Sequence, residues 1–181
     1  EVEREEAKDL GLRVFVGRRS ATVSGSDVSP EARAKLVERA VAMARLAPED
    51  PYAGFAPKDR LAKGPFPDLD LIDAYEPSAE ILEDQARAAE AAARAIEGVT
   101  NSDGGSSSWS STVWRLVTSD GFSGLHAATG FGISASAIAG EGAAMERGGE
   151  GRSVRHAQDL PSPEAIGAKA ALTELKGWSE V

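Results

Sequence analysis

Six of the nine prolines in this chain fall at positions 48, 51, 57, 65, 67 and 77. Each fixes its own φ and offers no amide to a helix or a ladder, so no long regular element can cross residues 47–77. Folding must therefore take place on either side of that stretch. The sequence predicts an N-terminal α+β lobe over residues 1–56, a proline-rich linker over 57–77, and a second region over 78–181. Within the linker only DLDLID alternates well enough to predict a short strand, with Leu69 and Leu71 on one face.

In the first lobe, GLRVFVG alternates Leu12, Val14 and Val16 with Arg13 and Phe15, and ATVSG resumes the alternation after a turn at Arg18-Arg19. That pattern predicts a β-hairpin. Ser29-Pro30-Glu31 then supplies an N-cap oxygen, a proline at the first helical position and an acid near the positive helix end. A helix is expected from Pro30 to Leu46, burying Leu36, Val37, Ala40, Val41 and Ala44.

In the second region a helix is expected to follow Pro77-Ser78, over Ala79 to Ile96, with a stripe of mostly small residues. Beyond Val99 the period changes to two, interrupted by glycines, which predicts an antiparallel meander. Its strands are expected to end at Gly104-Gly105, to run through Trp114 to Thr118, from Phe122 to Thr129, from Phe131 to Ala139, and from Ser153 to Ala157. Ser162-Pro163-Glu164 starts a last helix, expected to reach Leu175. The fold class is thus α+β: a hairpin-plus-helix lobe, then a helix and an antiparallel meander closed by a C-terminal helix.

Composition limits both core and partners. Val, Ile, Leu and Phe total only 36 residues against 32 alanines, so the core is thin, and further chain or a partner is expected to complete its burial. With 20 Lys+Arg against 29 Asp+Glu the net charge is −9, which opposes binding to a phosphate backbone, so no nucleic-acid partner is expected. No apolar run is long enough to cross a bilayer, the N-terminus is acidic where a signal peptide is basic, and there are no cysteines. A cytoplasmic protein without a membrane partner is the expectation.

Catalytic chemistry is hard to assemble. His126 and His156 are the only histidines and lie thirty residues apart, without H-E-x-x-H, so neither a metal site nor a catalytic residue is expected. None of the 18 serines sits in G-x-S-x-G or S-x-x-K. Residues 130–135 match G-x-G-x-x-A, but strand periodicity follows where a dinucleotide site needs a helix. The carboxylates Asp68, Asp70 and Asp73, and Glu141 and Glu146, read as solvated loops. Two groups remain as candidates. Gly132, Ser134 and Ser136 form a nearly flat strand face, opposite Phe131, Ile133, Ala135, Ala137 and Ala139, that another backbone could approach. Arg147, Arg152, Arg155 and His156 are the one local basic concentration, a candidate anion or ion-pair cluster.

The runs DLGLRVFVGRRSATVSGSDVSPEA, MARLAPEDPYAGFA, DLDLIDAYEPSAE, GVTNSDGGSSSW, TSDGFSGLHAATG, IAGEGAAMERG and RHAQDLPSPEAIGAKAA follow one another as in the TldD/PmbA family. The chain most resembles its PmbA (TldE) branch, grouped with peptidase family U62 and described as a modulator of DNA gyrase. The resemblance covers about Glu1 to Ala171, the N-terminal part of proteins more than twice as long, and the tail LTELKGWSEV departs from it.

It implies a cytoplasmic metalloprotease system in which a TldD-like and a PmbA-like subunit form a heterodimer acting on unfolded peptides. The zinc motif H-E-x-x-x-H belongs to the C-terminal domain of the TldD-like subunit, so zinc is expected in the partner and no cofactor here. The expected function is that of a noncatalytic region serving assembly and substrate enclosure, with a TldD-like subunit or a second copy as partner. The alternative is a freestanding peptide- or small-molecule-binding module unrelated to proteolysis. Whether the whole protein counts as an enzyme stays open at this point.

Overall fold

The structure, a computed structural model, describes residues 1–178, with side chains excepted at 144 and 173–178. It divides into two compact units, one running to Phe66 and the other from Pro67. The end of the divergent tail, residues 179–181, lies outside the described residues.

In the first unit β1 (Leu10–Val16) and β2 (Arg19–Gly25) pair antiparallel with Val14 opposite Ala21. The turn is Gly17-Arg18, one residue earlier than expected, because Gly17 takes the left-handed φ of 60° and leaves Arg19 free to join the ladder opposite Val16. Helix α1 (Pro30–Leu46) begins as its sequence dictates, the Ser29 hydroxyl accepting from the Ala32 amide at 3.2 Å. Leu36, Ala40 and Ala44 are buried, and Val23, Leu10, Leu12 and Val14 pack against Leu36 and Ala40. Val37 points outward, since the hairpin covers a narrower stripe than five positions. Arg18 of the turn donates to the Pro51 carbonyl, beyond α1, at 3.0 Å, and Arg19 of β2 to the Arg45 carbonyl in the last turn of α1 at 2.9 Å.

The second unit is a four-stranded sheet with two helices on one face. Its elements are α2 (Ala79–Arg94), β3 (Val99–Asn101), β4 (Gly105–Val117), β5 (Ser123–Ala139), β6 (Glu146–Val154) and α3 (Pro163–Trp178). Strand β5 pairs antiparallel with β3, β4 and β6. The α+β class with an antiparallel sheet and a terminal helix is as read from the sequence.

Three strand assignments differ. The stretch Phe122–Ala139 was expected to break near Gly130, yet β5 is continuous. Gly130 serves a close approach, a β-carbon there standing 3.0 Å from Ser110 Oγ. The strand expected at Ser153–Ala157 lies earlier, at Glu146–Val154, and residues 157–159 form a 3-10 turn. Of its glycines, Gly151 faces Ser134 closely enough that an added β-carbon would stand 3.3 Å from the serine's own. Finally, DLDLID is not a strand. Asp68 Oδ1 accepts from the Asp70 amide and Asp73 Oδ1 from that of Tyr75, both at 2.9 Å, and such local bonds compete with a ladder.

The core of this unit is built from small residues. Ala89, Ile133, Ala135, Ile166 and Ala170 form one cluster, and Ala93, Ala137 and Ala171 another. Helix α2 ends at Arg94, two residues short of expectation, and lies on the sheet so closely that a β-carbon at Gly105 would overlap the Ala86 carbonyl oxygen.

Candidate functional site

The helices cover the face carrying Phe131, Ile133, Ala135 and Ala137, all buried. Their absence from the opposite face leaves Gly132, Ser134 and Ser136 half-exposed. The ladder register extends this face in both directions: Ser106, Ser108 and Ser110 of β4 lie opposite Ser134, Gly132 and Gly130, while Gly149, Gly151 and Ser153 of β6 lie opposite Ser136, Ser134 and Gly132. Ser134 and Ser106 share a hydrogen bond between their Oγ atoms at 2.8 Å. Ser136 Oγ accepts from the Asp103 amide at 3.0 Å, and its carbonyl accepts from Ser102 Oγ at 2.8 Å. The result is a surface coated with hydroxyls, with the Arg147–Asp103 ion pair at its end beside Ser136. None of these bonds ties a serine to a general base, so none of them activates a nucleophile. The contribution of β6 was hidden in the sequence because RGGEG lacks the β-branched residues that mark strands.

The four basic residues do not converge. Arg147 pairs with Asp103 at 2.7 Å on the serine face, whereas Arg152 pairs with Glu150 at 3.6 Å on the helix face, where Lys169 also reaches Glu150 at 3.1 Å. Arg155 donates to the Thr129 carbonyl at 3.0 Å. His156 donates from Nε2 to the Asp70 carbonyl at 2.8 Å, with Asp70 Oδ1 at 3.3 Å.

These last two belong to a node that sequence reasoning missed. Thr129, buried on β5, donates its hydroxyl to the Arg155 carbonyl and accepts from the Asp73 amide, each at 2.9 Å. Asp73 Oδ2 accepts from the Ala157 amide at 2.8 Å. The Asp73 carboxyl is held below its usual range mainly by the Tyr75 amide and next by that of Ala157, partial burial opposing and the His156 charge adding to it. The His156 imidazole is raised, chiefly by its bond to the Asp70 carbonyl, against desolvation, with Asp70, Asp73 and Asp159 contributing their charge. Beside this node a cleft of about 140 Å³ opens between Tyr75, Pro77, Leu82, Gln85, Phe131 and Leu160, with the Tyr75 and Phe131 rings stacked at 6.3 Å.

Among the described residues no group of three or more His, Cys, Asp or Glu could hold a metal ion. His126 is turned against Trp114, with ring centroids 5.7 Å apart, and His156 is engaged by Asp70, so the donor set does not fit zinc.

Residues 70–175 match the family model for the PmbA/TldA metallopeptidase central domain, and residues 1–44 that for domain 1. The chain belongs to the PmbA/TldD family. It is 37% identical over 171 residues to Metalloprotease PmbA of Escherichia coli O157:H7, covering 94% of this chain and 38% of that protein. The Metalloprotease PmbA homolog of Haemophilus influenzae is 32% identical over 163 residues, 90% of this chain and 36% of the relative. The chain therefore spans less than two-fifths of the length of either. In fold it resembles a candidate modulator of DNA gyrase from Bacteroides thetaiotaomicron, with a TM-score of 0.84 at 24% identity over 93% of this chain and 39% of that one. It also resembles TldE from Thermococcus kodakarensis, at 0.66 and 19% over 90% and 36%. No helix among the described residues is long and apolar enough to cross a membrane.

Proposed function

We propose that this chain is a noncatalytic, peptide-handling region of a PmbA/TldE-type subunit in a cytoplasmic metallopeptidase, working beside a TldD-like subunit that holds the zinc. The observation carrying this reading is the Ser/Gly face of β4, β5 and β6, half-buried along β5 and free of large side chains, in a chain of a metallopeptidase family whose described residues gather no group of three or more metal donors. An extended peptide laid across Gly132, Ser134 and Ser136 meets only hydroxyls and glycines, which suits a substrate recognised by its unfolded state rather than by particular side chains. Enclosure of the peptide and assembly with the zinc subunit are the roles assigned to it.

The test combines this chain with a TldD-like subunit from the same organism and an unstructured peptide. Cleavage is expected only in the mixture, is abolished by chelator, and falls when Ser134→Arg obstructs the face. Peptidase activity of the isolated chain that is lost with chelator overturns the reading. The rival small-molecule-binding module draws its support from the Tyr75/Phe131 cleft, and stoichiometric binding of a small ligand without any effect of a TldD-like subunit would favour it.

A further inference from the structure

Near the start of the second unit, residues 70–75 cross the end of the sheet without becoming a strand of it. Strand β6 stops at Val154, opposite Phe131. Two residues away along β5 the Thr129 backbone meets other partners: its amide donates to the Leu71 carbonyl at 2.9 Å, and its carbonyl accepts from the Arg155 guanidinium at 3.0 Å. The Thr129 hydroxyl accepts from the Asp73 amide, and Asp73 Oδ2 accepts from the Ala157 amide. His156 Nε2 lies 2.8 Å from the Asp70 carbonyl and 3.3 Å from Asp70 Oδ1. The segment is therefore a strap, tied to β5 on one bank and to residues 156 and 157 on the other. It also walls the cleft, since Tyr75 and Ala157 both line it and Tyr75 stacks on Phe131, which is 3% exposed. Little besides these bonds keeps the strap down. Ile72 is 57% exposed, and Asp70 takes the left-handed φ of 49° that most side chains avoid. Few buried apolar contacts and bonds close to solvent mark a segment that opens locally.

We infer that this strap is a lid on the Phe131 cleft, clamped by the charge of His156 and loosened when that proton leaves. With the lid closed the imidazole faces Asp70 and Asp73 of the strap and Asp159 of the turn that follows it. Opening carries the two strap carboxylates away and leaves Asp159. Arg155 does not discriminate in this way, because its guanidinium is charged throughout and bound to β5. A proton that is held by two more carboxylates in one state than in the other favours the first. The imidazole is indeed raised, chiefly by its bond to the Asp70 carbonyl, with desolvation opposing and the Asp70, Asp73 and Asp159 charges adding to it. The clamp is thus complete below the ordinary histidine value near 6.5 and is lost as pH rises through the higher folded value. A neutral imidazole still donates to the Asp70 carbonyl, so the loosening is partial, about twofold to fivefold in the opening equilibrium, as for other ion pairs open to solvent. This assignment is independent of whether the serine face handles peptides.

Hydrogen exchange of the full chain, corrected for the intrinsic rate at each pH, tests the lid. The amides of Thr129, Asp73 and Ala157 bond across the strap and report its opening. Their protection is expected to fall about twofold to fivefold between about pH 6 and about pH 9, while the β5 amides from Phe131 to Ala135, held in the ladder, keep theirs. His156→Gln retains a donor without a charge and is expected to abolish the dependence, whereas His126→Gln leaves it intact. Protection that does not change with pH, or a dependence that survives in a folded His156→Gln, overturns the proposal. Should His156→Gln not fold, by circular dichroism, Asp70→Asn decides, since it keeps the carbonyl and removes an exposed carboxylate: an undiminished dependence there overturns it.

Discussion

Gly167 of α3 sits against Ala89 of α2 with no room for a side chain: a β-carbon built on it would overlap the Ala89 carbonyl oxygen and stand 2.8 Å from the β-carbon of Ala92. The obstacle is backbone, so no rotamer change relieves it. Replacing a helical glycine by alanine ordinarily gains about 1 kcal/mol. Here the helices must separate, and overpacking of this kind costs about 1–3 kcal/mol. Gly167→Ala is therefore expected to destabilise the second unit, read as a lower urea midpoint. A midpoint that rises would show that the helices yield freely.

Thr129 carries a second prediction. Thr129→Val keeps the shape but strands the Asp73 amide and the Arg155 carbonyl, each of which the hydroxyl now satisfies. Both groups are only part-buried, so the cost is expected toward the lower end of the roughly 1–3 kcal/mol that an unpaired buried group carries. The loss is expected in equilibrium unfolding, and Thr129→Ser should recover most of it.

The node also sets a pH window. The Asp73 carboxyl is lowered, so its contribution is present above the unfolded aspartate value near 3.9 and is lost as pH falls through the lower folded value. His156 is raised, so its contribution is complete below the unfolded histidine value near 6.5 and is lost as pH rises through the higher folded value. Thermal stability of the second unit should therefore peak between these limits. Asp73→Asn should flatten the acid limb and His156→Gln the alkaline one in a melting-temperature series.

The N-cap of α2 gives a local test. Ser78 Oγ accepts from the Ile81 amide at 3.3 Å. Ser78→Ala removes that acceptor and should cost about 1 kcal/mol, with Ser78→Asp close to neutral.

How far the residues announced this structure depends on where the decisive contacts lie. Starts at Ser29, Ser78 and Ser162 were readable because a cap is satisfied within three residues. The alternation from Phe131 to Ala139 fixed which side of β5 would be buried. By contrast, Gly151 of β6 and Gly130 look like turn residues in one dimension and are explained by Ser134 and Ser110 on neighbouring strands. DLDLID has strand periodicity, yet its aspartates bond locally and Asp70 takes a left-handed φ of 49°. The serine face was half visible, since its central row lies within one strand while its flanking rows depend on register. The arginines, close together in sequence, are dispersed by the alternation of β6 and by the bend at residues 155–156.

Strand β5 has a further consequence for how the second unit breathes. From Phe131 to Ala135 it is paired with β4 on one side and β6 on the other beneath two helices, and β6 with β3 holds Ile138 and Ala139, whereas from Ser123 to Ala128 it has β4 alone. Opening should therefore begin at the hairpin tip and stop near Thr129. Hydrogen exchange would then record a gradient along one continuous strand, its far end exchanging on the timescale of a frayed terminus and its near end only when the whole unit unfolds.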